Sequence, residues 1–243
     1  MKVPTVIPSG PSGRLALDIE TISPGFSPDD DVDFENPEHF EVTVIGLCYE
    51  GPDAGGRLPR QKILFRESPD KEAELDLLRE FNSALWAYSP KKLVTYAGDF
   101  FDIPVLKARP ELIAPNPGNG LTGDLDAAFG NTTSVDLGDY AAETYGYGTR
   151  LDGLLDQEDG VEVRHTMFSD FDHGLSLEEV RPSDASTDYV DSSDLPGILD
   201  TWLHAKSESH DPIGPCNIDE TKRMITDYVT GDIEHLLTIE ETL

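Results

Sequence analysis

Basic residues are scarce in this chain. Eighteen lysines and arginines stand against 48 aspartates and glutamates in 243 residues, a formal net charge of −30. That balance lacks the basic stripe by which most proteins meet a nucleic-acid polyanion. Cysteine is also sparse: Cys48 and Cys216 make no disulfide framework and have no metal-ligand spacing. The six histidines (His39, His165, His173, His204, His210 and His235) form no His-x-x-x-His or comparable cluster, so zinc chemistry is not expected. No apolar run is long enough to span a membrane, and Met1-Lys2-Val3-Pro4 lacks a signal-peptide core. The expectation is a protein of a reducing cytoplasm, in one domain over 1–243.

Acid is what is abundant, and it is dispersed through every expected element instead of forming one tail. Such a surface suits near-molar salt, where the Debye length falls to ~3 Å and overall repulsion is screened. The composition therefore points to a halophile. The rival reading is an acidic protein with a basic partner.

A few acids stand out by context. Leu15-Ala16-Leu17-Asp18-Ile19-Glu20-Thr21 is apolar apart from its acids and reads as a buried strand. Strand side chains alternate, so Asp18 and Glu20 share one face and Ile19 takes the other. Two carboxylates on one face of a buried strand are costly without a cation. Asp102 follows Phe101 in Thr95-Tyr96-Ala97-Gly98-Asp99-Phe100-Phe101-Asp102-Ile103-Pro104, at the start of a helix or turn. A helix-capping acid is the plainer role there. Met224, Ile225, Tyr228, Val229, Ile233, Leu236 and Leu237 recur at helical spacing within 219–242, and Asn217 with Glu220 forms a candidate capping box. Tyr228 and Asp232 are four residues apart on that apolar face. An ordinary core tyrosine is the alternative for Tyr228. Gly231 inside this helix costs ~1 kcal/mol relative to alanine.

Strands are expected near 13–20, 40–50, 61–66 and 92–96, with a fifth ending at Ser134-Val135-Asp136-Leu137. The second and third pair through a turn at Gly51-Pro52-Asp53-Ala54-Gly55-Gly56. Helices are expected over 69–87, 101–109, from Leu137 to about Tyr145, 196–207 and 219–242; 21–39 and 110–131 read as loops. Residues 156–217 are acidic and poor in apolar runs, an insertion or lid that reads mainly as a solvated excursion, with Asp194, Trp202 and Leu203 able to cap and anchor its helix. Arg57, Arg60, Lys62 and Arg66 fall on one hairpin. Lys91, Lys92, Lys107 and Arg109 flank Asp102, placed either to meet phosphates or to pair with surface acids.

The order Asp-x-Glu, Phe-Asp, Tyr-x-x-x-Asp resembles the DEDD superfamily of 3′–5′ exonucleases in its tyrosine-bearing branch, above all the proofreading exonuclease domain of family B DNA polymerases and its stand-alone relatives. Ala97 stands where that family usually carries asparagine. The resemblance implies an α/β, RNase H-like mixed five-stranded sheet flanked by helices. It implies two divalent cations, Mg²⁺ or Mn²⁺, held by Asp18, Glu20, Asp102 and Asp232. Asp18 would bridge both ions, and Tyr228 with Glu20 would orient the attacking water. Two hard cations ~4 Å apart suit an in-line phosphodiester displacement and an all-carboxylate site. Thr21, Phe101 and Lys107 are the candidate substrate contacts.

The expected function is metal-dependent 3′–5′ exonuclease action on single-stranded DNA or RNA ends, in a chain too short to carry a polymerase as well. Replication or repair proteins are the expected further partners. Two alternatives remain open: a non-catalytic binding module of the same fold, and a structure-selective endonuclease.

Overall fold

A computed structural model describes residues 13–26, 32–51, 60–115, 120–155, 163–176, 180, 187–207 and 216–242. The expected turn at 52–56, Arg57 and His210 lie outside the described residues. The strands are β1 (Arg14–Ile22), β2 (Glu41–Glu50), β3 (Gln61–Phe65), β4 (Lys92–Thr95) and β5 (Thr133–Asp136). The helices are α1 (Lys71–Tyr88), α2 (Asp102–Ile113), α3 (Leu121–Gly130), α4 (Leu137–Thr144), α5 (Leu151–Leu155), α6 (Leu195–Ser207) and α7 (Ile218–Thr242). None is long and apolar enough to cross a membrane.

The strands form one mixed sheet in the order β3-β2-β1-β4-β5. β1 and β3 run antiparallel to β2, while β4 and β5 continue the sheet in parallel from β1. This is the expected α/β architecture, with helices on both faces. Two-sided cover explains why β2 is buried almost throughout and not alternately. Leu15, Leu17 and Ile19 point into a core shared with α1, α2 and α3. Ala16 and Ile22 point the other way, toward α6 and α7.

Three expectations change. The stretch 110–131 is not all loop. α2 runs through Pro110 to Ile113, and α3 buries Leu121, Leu125, Ala128 and Phe129. Nor is 156–217 a solvated excursion where it is described. Phe168, Leu175, Val190, Leu195, Ile198, Leu199, Trp202 and Leu203 pack with Val44, Met224, Ile225 and Val229 as the core beneath the sheet's second face. The Trp202 indole N–H donates to the Ile218 carbonyl at 3.2 Å, tying α6 to the start of α7. Asp194 is buried and caps through its carbonyl, which accepts from Ile198 N–H at 3.1 Å.

The third change concerns cations. Arg66 and Arg109 are buried, not offered to solvent. Arg109 donates from Nε and Nη2 to the two oxygens of Glu74, both at 2.7 Å, and Glu74 also accepts the Val42 N–H at 2.9 Å. Arg66 donates to Glu41 at 2.6 Å. A buried charge needs such partners, so neither arginine is available to a phosphate.

Candidate active site

The site begins where β4 stops. β4 pairs with β1 only through Arg14–Ala16, so from Asp18 onward β1 is hydrogen-bonded to β2 alone. The chain leaves β4 through Ala97, whose φ of 57° is left-handed. Asparagine tolerates that region better than alanine, which gives the family's usual asparagine a conformational reason. Asp136, at the end of β5, braces the turn: its carboxylate accepts N–H groups from Ala97 at 2.7 Å, Gly138 at 2.8 Å and Asp99 at 3.0 Å. The turn then delivers Asp102 to the first position of α2.

Asp18 and Glu20 do lie on one face of β1, the face covered by α7. α7 descends close to the sheet because Gly46 sits opposite Asp18 on β2. A Cβ on Gly46 would come within 2.4 Å of Val229 Cγ1 and 3.0 Å of Ile233 Cγ2. Carboxylate oxygens of Asp18, Glu20 and Asp232 consequently fall within 4.8 Å of one another. Asp102 stands outside that group of three, yet its charge is felt by both Asp18 and Glu20.

The electrostatics follow from this crowding. Burial, then Glu20, Asp232 and Asp102, push the Asp18 carboxyl well above its ordinary range. Burial, then Asp232 and Asp102, do the same to Glu20. Asp102 is raised by burial and by Asp136. The Tyr228 hydroxyl is held protonated, first by burial and then by Asp232, Glu20, Asp18 and Asp191. Asp18 Oδ2 and Asp102 Oδ2 are buried and accept no hydrogen bond from protein. Buried carboxylate oxygens without donors, facing further carboxylates, are what a hard divalent cation satisfies. The donor set fits such ions.

The expected substrate contacts separate. Thr21 sits at the β1 irregularity next to Glu20. Phe101 packs edge-on against Phe40 at 4.8 Å and against Phe34. Lys107 lies five residues along α2 from Asp102, about 140° round the helix, and pairs with Asp126 at 2.7 Å. Lys92 pairs with Glu240 at 2.6 Å.

Sequence reasoning passed over Gly46, Asp136 and a cleft that runs from Tyr228 and Asp232 to Arg150, Arg164, His165 and Tyr189. Asp136 was visible as a strand-end acid. The cleft joins residues some 80 positions apart and left no local pattern.

Residues 3–122 match the family model for the exonuclease domain of family B DNA polymerases. That span holds Asp18, Glu20 and Asp102, and α7 adds Tyr228 and Asp232 from outside it. No curated protein matches the chain in sequence. The family B DNA polymerase of Pyrobaculum calidifontis superposes with a TM-score of 0.54 at 16% identity, over 96% of this chain and 24% of the polymerase. The chain thus spans about a quarter of that protein, and the likeness shows the fold. A structure of exonuclease I gives a TM-score of 0.38 at 12% identity, covering 88% and 43% of the two chains. The Escherichia coli exonuclease I complex with single-stranded DNA and zinc gives 0.35 at 12% identity, over 83% and 42%.

Proposed function

We propose that the chain, as one domain, removes nucleotides from the 3′ ends of single-stranded nucleic acid at Asp18, Glu20, Asp102, Tyr228 and Asp232. The observation that carries the reading is the convergence of Asp18, Glu20 and Asp232 oxygens within 4.8 Å. Asp18, Glu20 and Asp232 would hold one divalent cation, and Asp18 with Asp102 a second, Mg²⁺ or Mn²⁺ by the hardness of the donors. Such ions supply charge stabilisation to the attacking and leaving oxygens of an in-line displacement.

The chain's own groups do the positioning. Tyr228 donates its hydroxyl proton in a hydrogen bond to the attacking water, and Glu20 accepts one from the same water. Water oxygen bonds to the phosphorus of the last diester as the bond to the 3′-oxygen breaks. The products are a nucleoside 5′-monophosphate and a strand shorter by one with a free 3′-hydroxyl. Thr21 and Phe101, flanking the acids, remain the candidates to meet the terminal nucleotide.

The test uses single strands labelled at the 5′ end, in high salt with Mn²⁺. The wild type is expected to give a ladder shortening from the unlabelled end. Tyr228→Phe should slow it while leaving Mn²⁺ affinity nearly intact, because one hydrogen bond is lost, worth about 0.5–1.5 kcal/mol and more in a preorganised site. Asp232→Ala should lower both. Wild-type cleavage by Tyr228→Phe would reduce Tyr228 to a core residue. Internal cuts on end-blocked strands would make the enzyme an endonuclease.

A further inference from the structure

The described part of 163–192 forms a small clip on α7. Phe168 N–H donates to the Asp188 carbonyl at 2.7 Å and Val190 N–H to the Thr166 carbonyl at 2.8 Å, with Met167 and Tyr189 bridged antiparallel. The clip is fixed beside the catalytic tyrosine. Thr166 Oγ1 donates to Asp227 at 2.8 Å, Arg164 N–H to His235 Nε2 at 3.3 Å, and the Arg164 guanidinium pairs with Asp227. Val190 is buried in the core beneath it.

Across this clip the rings of His165 and Tyr189 stack, centroids 4.8 Å apart and planes 29° from parallel. Neither ring is buried, and His165 is exposed. Both line the cleft that ends at Tyr228 and Asp232. Arg150 and Arg164 line it too, each about half exposed and each holding a surface carboxylate that a phosphate would have to displace, Arg150 with Asp191 at 2.9 Å and Arg164 with Asp227. In a chain with 18 lysines and arginines against 48 acids, two arginines and an aromatic pair at the mouth of one cleft are an uncommon concentration. A strand approaching a carboxylate cluster needs cations for its phosphates and flat rings for its bases. Exposed aromatics on a rigid support supply base stacking without sequence preference, and arginine meets phosphate.

We propose that His165 and Tyr189 form a base-stacking platform for single-stranded nucleic acid entering the acid cluster, with Arg150 and Arg164 beside it to meet the phosphates. The platform rests on the exonuclease reading for its direction of entry, and binding can be measured apart from cleavage. Its residues hold the strand and take no part in bond breaking.

The experiment pairs two readouts on the full chain. Fluorescence anisotropy follows a labelled single strand with Ca²⁺ in place of Mg²⁺. Hydrolysis of bis(p-nitrophenyl) phosphate, a diester without a base, follows the acid cluster alone. His165→Ala and Tyr189→Ala are each expected to weaken strand binding roughly tenfold, the scale of one lost stacking contact. Tyr189→Phe, which keeps the ring, should bind within about twofold of wild type by the same reasoning. All three should hydrolyse the base-free diester as the wild type does. If Tyr189→Ala lowers the melting temperature, the exposed His165→Ala decides. Unchanged binding in both alanine variants, or no strand binding by the wild type, overturns the platform. If the wild type cleaves neither substrate while the alanine variants lose binding, the exonuclease reading fails and the platform stands.

Discussion

Asp18 concentrates the electrostatic cost of the site. Its carboxyl is raised by burial and then by three other acids, and Glu20 and Asp102 are raised with it. Groups raised in this way bind protons more tightly folded than unfolded. Their contribution favours the fold below the ordinary carboxylate range and is lost as pH rises through their raised values. A cation reverses the loss by replacing the protons. In chelator, the wild type should therefore fall in stability relative to Asp18→Asn as pH is raised from about 4 toward neutrality. Mn²⁺ should restore the wild type at neutral pH by about 2.7 kcal/mol at a hundred times its dissociation constant, and should do little for Asp18→Asn. Calorimetric melts of both forms with and without Mn²⁺ decide this. Equal metal-dependent gains would show that Asp18 holds no ion.

At the scale of elements, the position of α7 governs the site, because Asp232 reaches Asp18 and Glu20 only where the helix lies close on the sheet. Gly46 permits that approach. Gly46→Ala should push Val229 and Ile233 outward, cost about 1–3 kcal/mol as an overpacked core does, and weaken Mn²⁺ binding although no ligand has changed. Val229→Ala in the same chain should make room and recover part of the Mn²⁺ affinity. Calorimetric titration of the single and double variants checks it, and an unaltered affinity in Gly46→Ala would mean that the helix position does not govern the site. Gly46 also marks the limit of what the sequence discloses. β1, α1 and α7 were legible because apolar residues recur at their periods, and Asp18, Glu20 and Tyr228 with Asp232 fell on predictable faces of those elements. α3 was hidden by the prolines and glycines before it, although Leu121, Leu125, Ala128 and Phe129 carry a helical spacing. The clip was hidden because its core residues are interleaved with acids, whereas α6 was legible at 196–207 with Trp202 and Leu203 as its anchors. Arg109 was misplaced because the residue that buries it, Glu74, is 35 positions away. Long-range partners leave no period to read.

For the whole molecule, pairing leaves most of the negative charge unmatched. Arg14 joins the start of β1 to Glu50 at 2.6 Å and to Glu240 on α7 at 2.5 Å, and Lys62, Arg79, Lys107, Arg150 and Arg223 each meet a carboxylate. With the cations thus engaged, a formal charge of −30 remains on 243 residues. Self-repulsion of that size opposes the compact state, and only mobile ions can screen it. Screening should be nearly complete in molar KCl, where the Debye length is ~3 Å, and weak at about 0.01 M, where it is ~30 Å. The melting temperature is therefore expected to climb by roughly 10 °C or more across that range, since ~2–4 °C accompanies each kcal/mol in chains of this length. A neutral osmolyte such as sucrose separates screening from exclusion at the surface, because it favours burial without supplying ions. If sucrose at equal osmolality reproduces the rise, charge is not its cause. If the melting temperature is flat from low to near-saturated KCl, the acidic surface is no adaptation to salt, and a basic partner becomes the better account of it.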